Sequence, residues 1–341
     1  MEKAKSKIEQ LKGILNGHKT MLVVMQDNPD PDSIAAAVAL RRLANTLADV
    51  QCSIAHSGTV GRGENRALVK YLGLNLRALN QIDLTGFDLF AMVDTQPGTG
   101  NNSLPDPIEP DIVIDHHPCR KTTRGCRFTD IRSNYGATVT ILYEYFKAAE
   151  IKIDTPLATA MLYAIRSDTQ DLGRDTSRAD TQALTGLFLA ANKRMLSEIQ
   201  RGKVQRDYFQ MLSDALKQAK VYDNAIVTNL GCIDNPDMIA EVADLLLRDD
   251  QTNWVMAYGF CRDKLAISLR TEQEQLRADK VMHRIVARKG TGGGHPSYAG
   301  GQISTKDLTQ KQIDKIEKRV IVRFVQAVAK DAAKIENLIK K

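Results

Sequence analysis

The stretch LVVMQDNPDPDSIAAA (residues 22–37) decides the fold, because it joins an apolar run to an alanine-rich helical pattern through an acidic segment. Asp27, Asp30 and Asp32 fall within six residues, where their negative charges repel one another. Two intervening prolines hold this segment out of helix geometry, so the helix is predicted to begin at Ser33. Something in the folded protein must offset these charges.

The composition is that of an ordinary globular protein: 341 residues, 43% hydrophobic and 26% charged, with a formal net charge of +6. This length predicts two domains, and the modest positive charge permits a nucleotide or nucleic-acid partner without requiring one. The five cysteines are scattered and are interpreted as free thiols. The apolar runs are too short to span a bilayer, so no membrane association is expected and a cytoplasmic location is predicted.

The first half of the chain alternates short apolar runs with helical spacing, which is typical of an α/β fold with a mostly parallel sheet covered by helices. The predicted strands are Met21–Met25, Cys52–Ala55, Leu89–Val93 and Ile112–Ile114, and the predicted helices are Ser33–Leu47, Ala137–Ala149 and Pro156–Ile165. Ligands of such sheets bind beyond the carboxyl ends of the strands.

The second half has a different pattern, and a division near residues 190–220 is predicted. A helical stretch over Asp180–Lys220 precedes predicted strands at Ala225–Thr228, Trp254–Gly259 and Leu265–Leu269, and predicted helices at Ala278–Ala287 and Leu308–Ile339. The last helix is expected to bury one face, formed by Ile313, Ile316, Val320, Phe324, Val328, Ala332 and Ile335.

Acids and histidines follow several of these elements. Asp94 follows the strand Leu89–Val93, the run Asp115-His116-His117 follows Ile112–Ile114, and Asp168 follows a helical segment. Carboxylates and imidazoles that converge at one sheet edge suit divalent cations, and two such ions would balance four negative charges. The alternative is that each acid separately caps a helix or forms a turn.

Five motifs in order carry a family resemblance: NPDPD (28–32), VDTQPG (93–98), DHHP (115–118), SDTQDLG (167–173) and TGGGHPSYAGG (291–301). Together they resemble the DHH phosphoesterase superfamily with an appended DHHA1 domain, in particular its two-domain nano-RNases and 3′-phosphoadenosine 5′-phosphate phosphatases. The resemblance implies a catalytic DHH domain over residues 1–190, a helical linker over 191–222, and a smaller α/β DHHA1 domain over 223–341, facing the first across a cleft.

The resemblance also implies a site with two divalent cations, with Mn²⁺ favoured and Mg²⁺ as the alternative. The implied metal ligands are Asp30, Asp32, Asp94, His116 and Asp168. Asp30 would bind the first ion, Asp32, His116 and Asp168 the second, and Asp94 would bridge them. His117 would lie beside the scissile phosphate as a catalytic residue, and Asp115 would orient its neighbours.

One position departs from the family pattern. Family members usually carry a metal-binding histidine four residues before the first aspartate ligand, and this chain has Gln26 there. An amide oxygen is a weaker donor than imidazole towards transition metals, so the first site is expected to be weaker or more tolerant of Mg²⁺. Asp27 is a poor substitute, because neighbouring side chains of an extended segment point apart.

The resemblance places substrate contacts in the second domain, at Arg270, Gly292, Gly293, Gly294 and His295. Glycines let backbone N–H groups approach an anion, and a guanidinium grips phosphate through two hydrogen bonds. The alternatives are a plain glycine-rich turn and a solvated arginine. A basic run with Arg120, Lys121, Arg124 and Arg127 is either a solvated loop or a grip on further phosphates.

The chain is accordingly predicted to be a metal-dependent phosphoesterase acting on short oligonucleotides or linear dinucleotides, or on 3′,5′-bisphosphonucleotides. A cyclic-dinucleotide phosphodiesterase or an inorganic pyrophosphatase of the same superfamily is an alternative, as is a nucleotide-binding sensor with reduced catalysis. The expected partner is the nucleotide substrate, and a homodimer is left open.

Overall fold

The computed structural model describes residues 2–329 and 335–339, and it divides the chain into two compact units, Met1–Lys203 and Val204–Lys341. We refer to them as unit 1 and unit 2. The division falls inside the segment 191–222, which was expected to be a helical linker. That segment contains two helices and the first strand of unit 2.

Unit 1 is built on a six-stranded parallel sheet in the order β3-β2-β1-β4-β5-β6, which confirms the predicted α/β class. Its elements are α1 (Glu2–Leu15), β1 (Thr20–Val24), α2 (Pro31–Ala48), β2 (Gln51–His56), α3 (Gly63–Tyr71), β3 (Arg77–Ala78), β4 (Leu89–Val93), β5 (Ile112–Asp115), β6 (Phe128–Ile131), α4 (Thr138–Ala148), α5 (Thr155–Asp168), α6 (Arg178–Ala190) and α7 (Lys193–Gln200).

The strand order reverses between β1 and β4, which are paired in parallel. In open α/β sheets, the crevice beyond the carboxyl ends of the strands at such a reversal is the usual ligand site. The chain leaves β1 into the acidic segment and leaves β4 at Asp94. The sheet order therefore brings two of the quoted motifs side by side.

Helix α2 begins at Pro31, two residues earlier than predicted. The prediction was wrong because proline is well tolerated in the first turn of a helix, where its missing N–H has no intrahelical partner. Asp30 is the N-cap and accepts a hydrogen bond from the Ser33 backbone N–H at 2.9 Å. Asp32 consequently lies inside the first helical turn and is buried.

The region predicted as one helical stretch over 180–220 is divided into three helices: α6, α7 and a third over Arg206–Gln218. Ser177 and Asn192 are the N-caps of the first two. Similarly, α5 continues through Asp168, which is its last residue rather than a residue beyond it.

Unit 2 contains a seven-stranded mixed sheet in the order β11-β12-β10-β9-β8-β7-β13. Its elements are α8 (Arg206–Gln218), β7 (Lys220–Tyr222), β8 (Ala225–Cys232), α9 (Asp237–Leu246), β9 (Trp254–Cys261), β10 (Lys264–Thr271), α10 (Ala278–Val286), β11 (Gly290–Gly294), β12 (Tyr298–Ser304), α11 (Gln310–Val328) and β13 (Ile335–Asn337). Trp254 and Phe324 pack edge to face in its core, with ring centroids 6.3 Å apart.

One alternative and one expectation for unit 2 were wrong. The alternative of a plain glycine-rich turn does not hold, because the first half of the motif forms β11, which pairs antiparallel with β12. The final helix ends at Val328, and Ile335 lies in the short strand β13, where it is exposed. Ala332, expected on the buried helix face, lies outside the described residues.

The five cysteines are free, and no helix within residues 2–329 is long and apolar enough to cross a membrane.

A buried ion pair supports the segment between β6 and α4. Arg132 and Asp130 are only 4% and 3% exposed, and the Arg132 Nη2 group lies 2.7 Å from Asp130 Oδ2. Glu144 also pairs with Arg132, and the Tyr145 hydroxyl donates to Asp130 at 2.7 Å. Burial acts to raise the pKa of Asp130, but the hydrogen bonds from Arg132 and Tyr145 outweigh it and lower that pKa.

Removing the Asp130 carboxylate should destabilise unit 1 strongly. We expect Asp130→Ala to lower the free energy of unfolding by about 3–5 kcal/mol, because it leaves the buried Arg132 guanidinium short of a partner. Urea unfolding at pH 7 measures this loss. Since the folded-state pKa of Asp130 is depressed, its contribution is present above the ordinary aspartate pKa of about 3.9, and the difference between variant and wild type should narrow below that pH.

The matched control is Glu198→Ala, which removes one partner of the exposed i,i+4 pair with Arg194. This surface pair should be worth less than about 1 kcal/mol. If Asp130→Ala and Glu198→Ala lower the free energy of unfolding equally, the Asp130–Arg132 pair has no special stabilising role.

Candidate metal centre

The acids predicted from the motifs converge at the carboxyl edge of the unit 1 sheet. Among the described residues, two groups of side chains bring ligand atoms within 4.8 Å of one another. The first group is Asp94, Asp115, His116 and His117, and the second is Asp32, His116 and Asp168. His116 belongs to both groups, whereas Asp94 had been expected to be the bridging residue.

Asp32 is held by the amino end of a neighbouring helix. Its two carboxylate oxygens accept hydrogen bonds from the backbone N–H groups of Thr138 and Val139, at 2.6 and 3.0 Å. These are free N–H groups of the first turn of α4, where the helix dipole also favours negative charge. These hydrogen bonds therefore fix the buried Asp32 carboxylate beside the reversal of strand order between β1 and β4, without the help of a cation.

His116 is held as a neutral imidazole. Its Nδ1 atom lies 3.1 Å from the Tyr135 carbonyl oxygen, which fixes Nδ1 as the donor and places the lone pair on Nε2. Nε2 lies 3.5 Å from Asp94 Oδ1 and 3.7 Å from Asp168 Oδ2. Burial, together with the neighbouring His117, lowers the pKa of His116 to about 4, so the ring is neutral at pH 7.

His117 is paired with Asp115. Its Nδ1 atom lies 2.8 Å from Asp115 Oδ1, and its ring is 38% exposed. Burial acts to lower the pKa of His117, but the hydrogen bond to Asp115 and its charge outweigh this and raise it. Burial likewise acts to raise the pKa of Asp115, yet the His117 contact lowers it to about 2. The contact with Asp115 therefore fixes the orientation of the His117 ring.

A buried glutamine organises the loop around this pair. Gln96 donates from Nε2 to Asp115 Oδ2 at 2.7 Å, and its Oε1 accepts from the Arg120 backbone N–H and the Thr123 hydroxyl, each at 2.8 Å. Gln96 thereby connects the loop after β4 to the loop after β5. Of the basic residues in the latter loop, Arg120, Lys121 and Arg124 are exposed, and Arg127 pairs with Asp111 at 3.0 Å.

Asp94 has a constrained backbone. Its φ is 56°, a left-handed conformation that is uncommon for residues other than glycine, while its N–H bonds to the Ile114 carbonyl at 3.0 Å. The Thr138 hydroxyl donates to Asp94 Oδ1 at 3.2 Å. Such a conformation persists only where the surrounding contacts maintain it, and it is often found at functional sites.

Unbalanced charge is the main electrostatic feature of the cluster. Burial, reinforced by repulsion from Asp30, raises the pKa of Asp32 to about 7. Burial and neighbouring aspartates likewise raise the pKa of Asp94 and of Asp168 well above the usual value. A divalent cation reverses this effect, because it stabilises the ionised carboxylates around it. Oxygen ligands with one neutral imidazole fit Mn²⁺ or Mg²⁺.

Gln26 lies beside the acids, at the position where the family carries histidine. Its Nε2 group donates to Asp30 Oδ2 at 2.8 Å and lies 3.4 Å from Asp94 Oδ2. Asp30 therefore caps α2 and also accepts a hydrogen bond from Gln26. It is a helix cap, as the alternative interpretation had it, and it still lies beside the acidic cluster. The Asp27 carboxylate accepts a hydrogen bond from the Ser103 hydroxyl at 2.8 Å.

The chain after Asp168 turns sharply through three consecutive left-handed residues, Gln170, Asp171 and Leu172, with φ of 48°, 57° and 69°. This turn returns Arg174 to the site, where its Nη2 group donates to the Asp168 carbonyl at 2.9 Å. The charge of Arg174 acts to lower the pKa of Asp168, against the raising effect of burial. Arg174 thus adds a positive charge beside the acidic cluster.

In unit 2, the predicted substrate residues Arg270 and His295 are brought together through Tyr298. The Arg270 guanidinium lies 5.6 Å from the centroid of the Tyr298 ring, and that ring stacks on His295 at 4.6 Å with an interplanar angle of 17°. Arg270 also pairs with Asp244 and donates to the Ser268 hydroxyl at 2.8 Å. The arginine is therefore held in place rather than freely solvated.

The three predicted glycines have different surroundings. A Cβ on Gly292 would lie 2.7 Å from Met282 Cγ, so helix α10 packs directly against this strand. Gly294 has a φ of 151°, which side-chain-bearing residues rarely adopt. Gly293 pairs with Gly300 across β11 and β12, and a Cβ on either would meet no heavy atom within 4 Å. These two glycines form an open patch of bare backbone.

Several site residues were not identified from the sequence: Gln96, Tyr135, Thr138, Arg174 and Tyr298. Three of them lie in or next to the quoted motifs: Gln96 in VDTQPG, Tyr298 in the glycine-rich motif, and Arg174 directly after SDTQDLG. Tyr135 acts through its backbone carbonyl and Thr138 largely through its backbone N–H, which any residue type supplies. No sequence pattern marks such contacts.

Comparison with known protein families supports the same assignment. Residues 20–165 match the model of the DHH family, N-terminal domain, and residues 223–322 match that of the DHHA1 domain. The uncharacterized protein MJ1633 of Methanocaldococcus jannaschii is 30% identical over 350 residues, which cover 95% of this chain and 71% of that protein. The chain belongs to the DHH family, whose members are metal-dependent phosphoesterases, and it carries a DHHA1 domain.

A second relative is the cyclic-di-AMP phosphodiesterase GdpP of Bacillus subtilis, 24% identical over 318 residues; the match covers 86% of this chain but only 46% of GdpP. Among solved structures, an exopolyphosphatase-related protein of Bacteroides fragilis matches with a TM-score of 0.70 at 14% identity, over 95% of this chain and 98% of that one. RecJ of Thermus thermophilus in complex with Mn²⁺ matches with a TM-score of 0.55 at 16% identity, over 95% of this chain and 55% of that one.

The fold and the site thus define an enzyme of the metal-dependent phosphoesterase class, with divalent cations as cofactors. The acidic cluster of unit 1 has the donor set for them.

Replacing Gln26 by histidine should tighten Mn²⁺ binding. Gln26→His supplies an imidazole between Asp30 and Asp94 without changing formal charge, and imidazole prefers transition metals. We expect the weaker Mn²⁺ dissociation constant, measured by calorimetry, to fall by about 10-fold or more, the scale on which changes around metal ligands act. Mg²⁺ affinity should change much less.

Gln26→Leu is the matched variant, because it removes the amide without adding a ligand. It should bind Mn²⁺ no more tightly than the wild type. Unchanged Mn²⁺ affinity in Gln26→His would show that residue 26 does not reach the ion.

Proposed function

We propose that the chain is a two-ion phosphoesterase that hydrolyses short oligonucleotides or linear dinucleotides, or 3′,5′-bisphosphonucleotides. The observation that carries this proposal is the cluster of Asp32, Asp94, His116 and Asp168, whose buried carboxylates lack sufficient positive charge from the described residues. In this proposal, Asp30 with Gln26 serves the first ion, Asp32, His116 and Asp168 serve the second, and Asp94 serves both.

When bound, divalent cations supply charge neutralisation and polarisation of the phosphoryl group. The protein supplies positioning. Thr138 and Val139 hold Asp32, the Tyr135 carbonyl holds the His116 tautomer, and these contacts fix the ligands before substrate arrives. Preorganised groups stabilise the transition state without reorganising during the reaction.

His117 is proposed to act on the phosphoryl group. Its Nδ1 atom is held by Asp115, its ring is partly exposed, and its pKa is raised, which suits it to the role of proton donor. From there the imidazole can stabilise a developing charge on a phosphoryl oxygen or protonate the leaving oxygen. No covalent nucleophile of the protein is required.

Unit 2 is proposed to select the substrate. The row of Arg270, Tyr298 and His295 offers a cation, an aromatic face and an imidazole, while Gly293 and Gly300 leave bare backbone for close approach. These groups suit a nucleotide, which combines a phosphate with a flat base.

One alternative substrate has support from a specific observation. Similarity to a cyclic-di-AMP phosphodiesterase over 86% of this chain favours a cyclic dinucleotide as the second candidate. Gln26 is the feature that favours a sensor with reduced catalysis. A panel of substrates distinguishes both alternatives from the proposed function.

The test is a substrate panel with the purified protein in Mn²⁺ or Mg²⁺: a linear dinucleotide, a 3′,5′-bisphosphonucleotide, a cyclic dinucleotide and pyrophosphate. We expect turnover of one of the first two to exceed turnover of the others. Asp94→Asn should reduce it by more than about 100-fold, since even changes behind metal ligands cost about 10–100-fold.

Asp207→Asn is the matched control, because Asp207 is exposed on α8 and lies outside the cluster. It should leave turnover unchanged. Near-native turnover in folded Asp94→Asn would reject the two-ion assignment. Preferred hydrolysis of the cyclic dinucleotide would select the second candidate substrate. If none of the four compounds is hydrolysed, the result would support a nucleotide-binding sensor.

The substrate residues of unit 2 give a separate prediction. Arg270→Ala and His295→Ala should each raise KM by about 10-fold or more, because a charge-assisted contact to phosphate is lost. The Mn²⁺ content, measured by metal analysis, should stay at the wild-type level since neither residue belongs to the metal cluster. Loss of Mn²⁺ from either variant would overturn this division of roles.

A further inference from the structure

We propose that unit 1 holds a second binding site, for a small organic phosphate, at the edge of the sheet opposite to the metal centre. The site is a cavity of about 390 Å³. Its polar lining comes from Arg41, Arg42, Asn45, Gln51, Cys52 and Asp154. This inference is independent of the substrate assigned to the metal centre.

The cavity lies at the far ends of two helices that carry metal-centre residues. Helix α2 begins beside Asp32 and reaches the cavity at Arg41 and Asn45, and α5 begins beside the cavity and ends at Asp168. At 1.5 Å per residue, about 20 Å separates Asp32 from Asn45 along α2, and a similar distance separates the two ends of α5. Gln51 starts β2, so the cavity lies at the amino edge of the parallel sheet.

The charge in the cavity points to an anionic ligand. Within the described part of the chain, neither Arg41 nor Arg42 makes a hydrogen bond or an ion pair through its guanidinium. Arg41 is partly buried, and burial lowers its pKa. A guanidinium removed from water without a counter-charge is unfavourable, and a bound anion relieves that cost.

The acidic and thiol groups of the lining do not cancel this charge. Asp154 is occupied as the N-cap of α5, where its Oδ1 accepts the Leu157 N–H at 3.0 Å. Burial raises the pKa of Cys52 to about 12, so its thiol is neutral at pH 7. Two guanidinium groups against one carboxylate leave a net charge of +1, and guanidinium binds phosphate through paired hydrogen bonds.

The remaining walls favour a phosphate attached to an organic body. Val38, Leu72 and Leu157 contribute apolar surface, and the Asn45 and Gln51 amides supply donors and acceptors. A cavity of about 390 Å³ falls within the range of small-molecule sites, which are mostly apolar with a few placed polar groups. A nucleoside monophosphate has this combination, and AMP is the probe we choose.

The experiment measures alkylation of Cys52, because this thiol lines the proposed site and reports binding there rather than at the metal centre. Full-length protein with Mn²⁺ is treated with N-ethylmaleimide at increasing AMP, and the modified cysteines are quantified by peptide mass spectrometry. The exposed Cys232 of unit 2 is the internal reference. We expect AMP, but not adenosine, to slow Cys52 alkylation saturably by several-fold relative to Cys232.

Arg42→Ala and Arg41→Ala should each raise the AMP concentration for half-protection by about 10-fold or more. Arg42 is exposed, so its replacement tests the site without disturbing the core, and Arg194→Ala on α7 is the matched arginine control, expected to behave as wild type. The proposal is overturned if AMP leaves Cys52 alkylation unchanged, if adenosine protects equally well, or if Arg42→Ala retains wild-type protection.

Discussion

The parallel pairing of β1 with β4 is the constraint on which the rest of unit 1 depends. It places the acidic segment after β1 next to Asp94, and the further pairing of β4 with β5 adds the Asp115–His117 run to the same edge. Because all strands of the sheet run the same way, their carboxyl ends deliver these side chains to one place. The fold thus creates a concentration of negative charge that it must then stabilise.

Neutral groups of the protein support that charge without cancelling it. Asp32 takes two backbone N–H groups from α4, Asp30 takes one from α2 and an amide from Gln26, and Asp94 takes a hydroxyl from Thr138. These contacts orient the carboxylates, yet the pKa values of Asp32 and Asp94 remain raised. The carboxylates are thus oriented by hydrogen bonds, but their negative charge is not balanced by positive side chains. Such a site is suited to binding cations.

The support for the site extends into the surrounding core. The Tyr135 carbonyl that sets the His116 tautomer lies close in sequence to Arg132, whose buried pair with Asp130 anchors the segment between β6 and α4. The same α4 then presents its first-turn N–H groups to Asp32. One short stretch of chain, residues 130–139, therefore connects the buried ion pair of the core with the groups that position Asp32 and His116.

The sequence by itself determined the alternating pattern of unit 1 and the identity of the acidic and histidine residues. The strand Leu89–Val93 was predicted at its observed bounds, and the other predicted strands differ from the observed ones in their ends, because a buried strand is a local apolar run bounded by polar turns. The order of the motifs carried the resemblance to a family of metal-dependent phosphoesterases, and the carboxylate and imidazole side chains in them are residue types that bind divalent cations.

The tertiary structure decided what depends on partners distant in sequence. Only folding shows that the glycines of β11 form a strand, because glycine has no intrinsic strand preference and the pairing with β12 supplies the hydrogen bonds. The same holds for Gln96, which connects two loops, for Tyr298, which links Arg270 to His295, and for the cavity beside Arg41. Local sequence encodes propensity and chemistry, whereas these contacts arise from packing between elements.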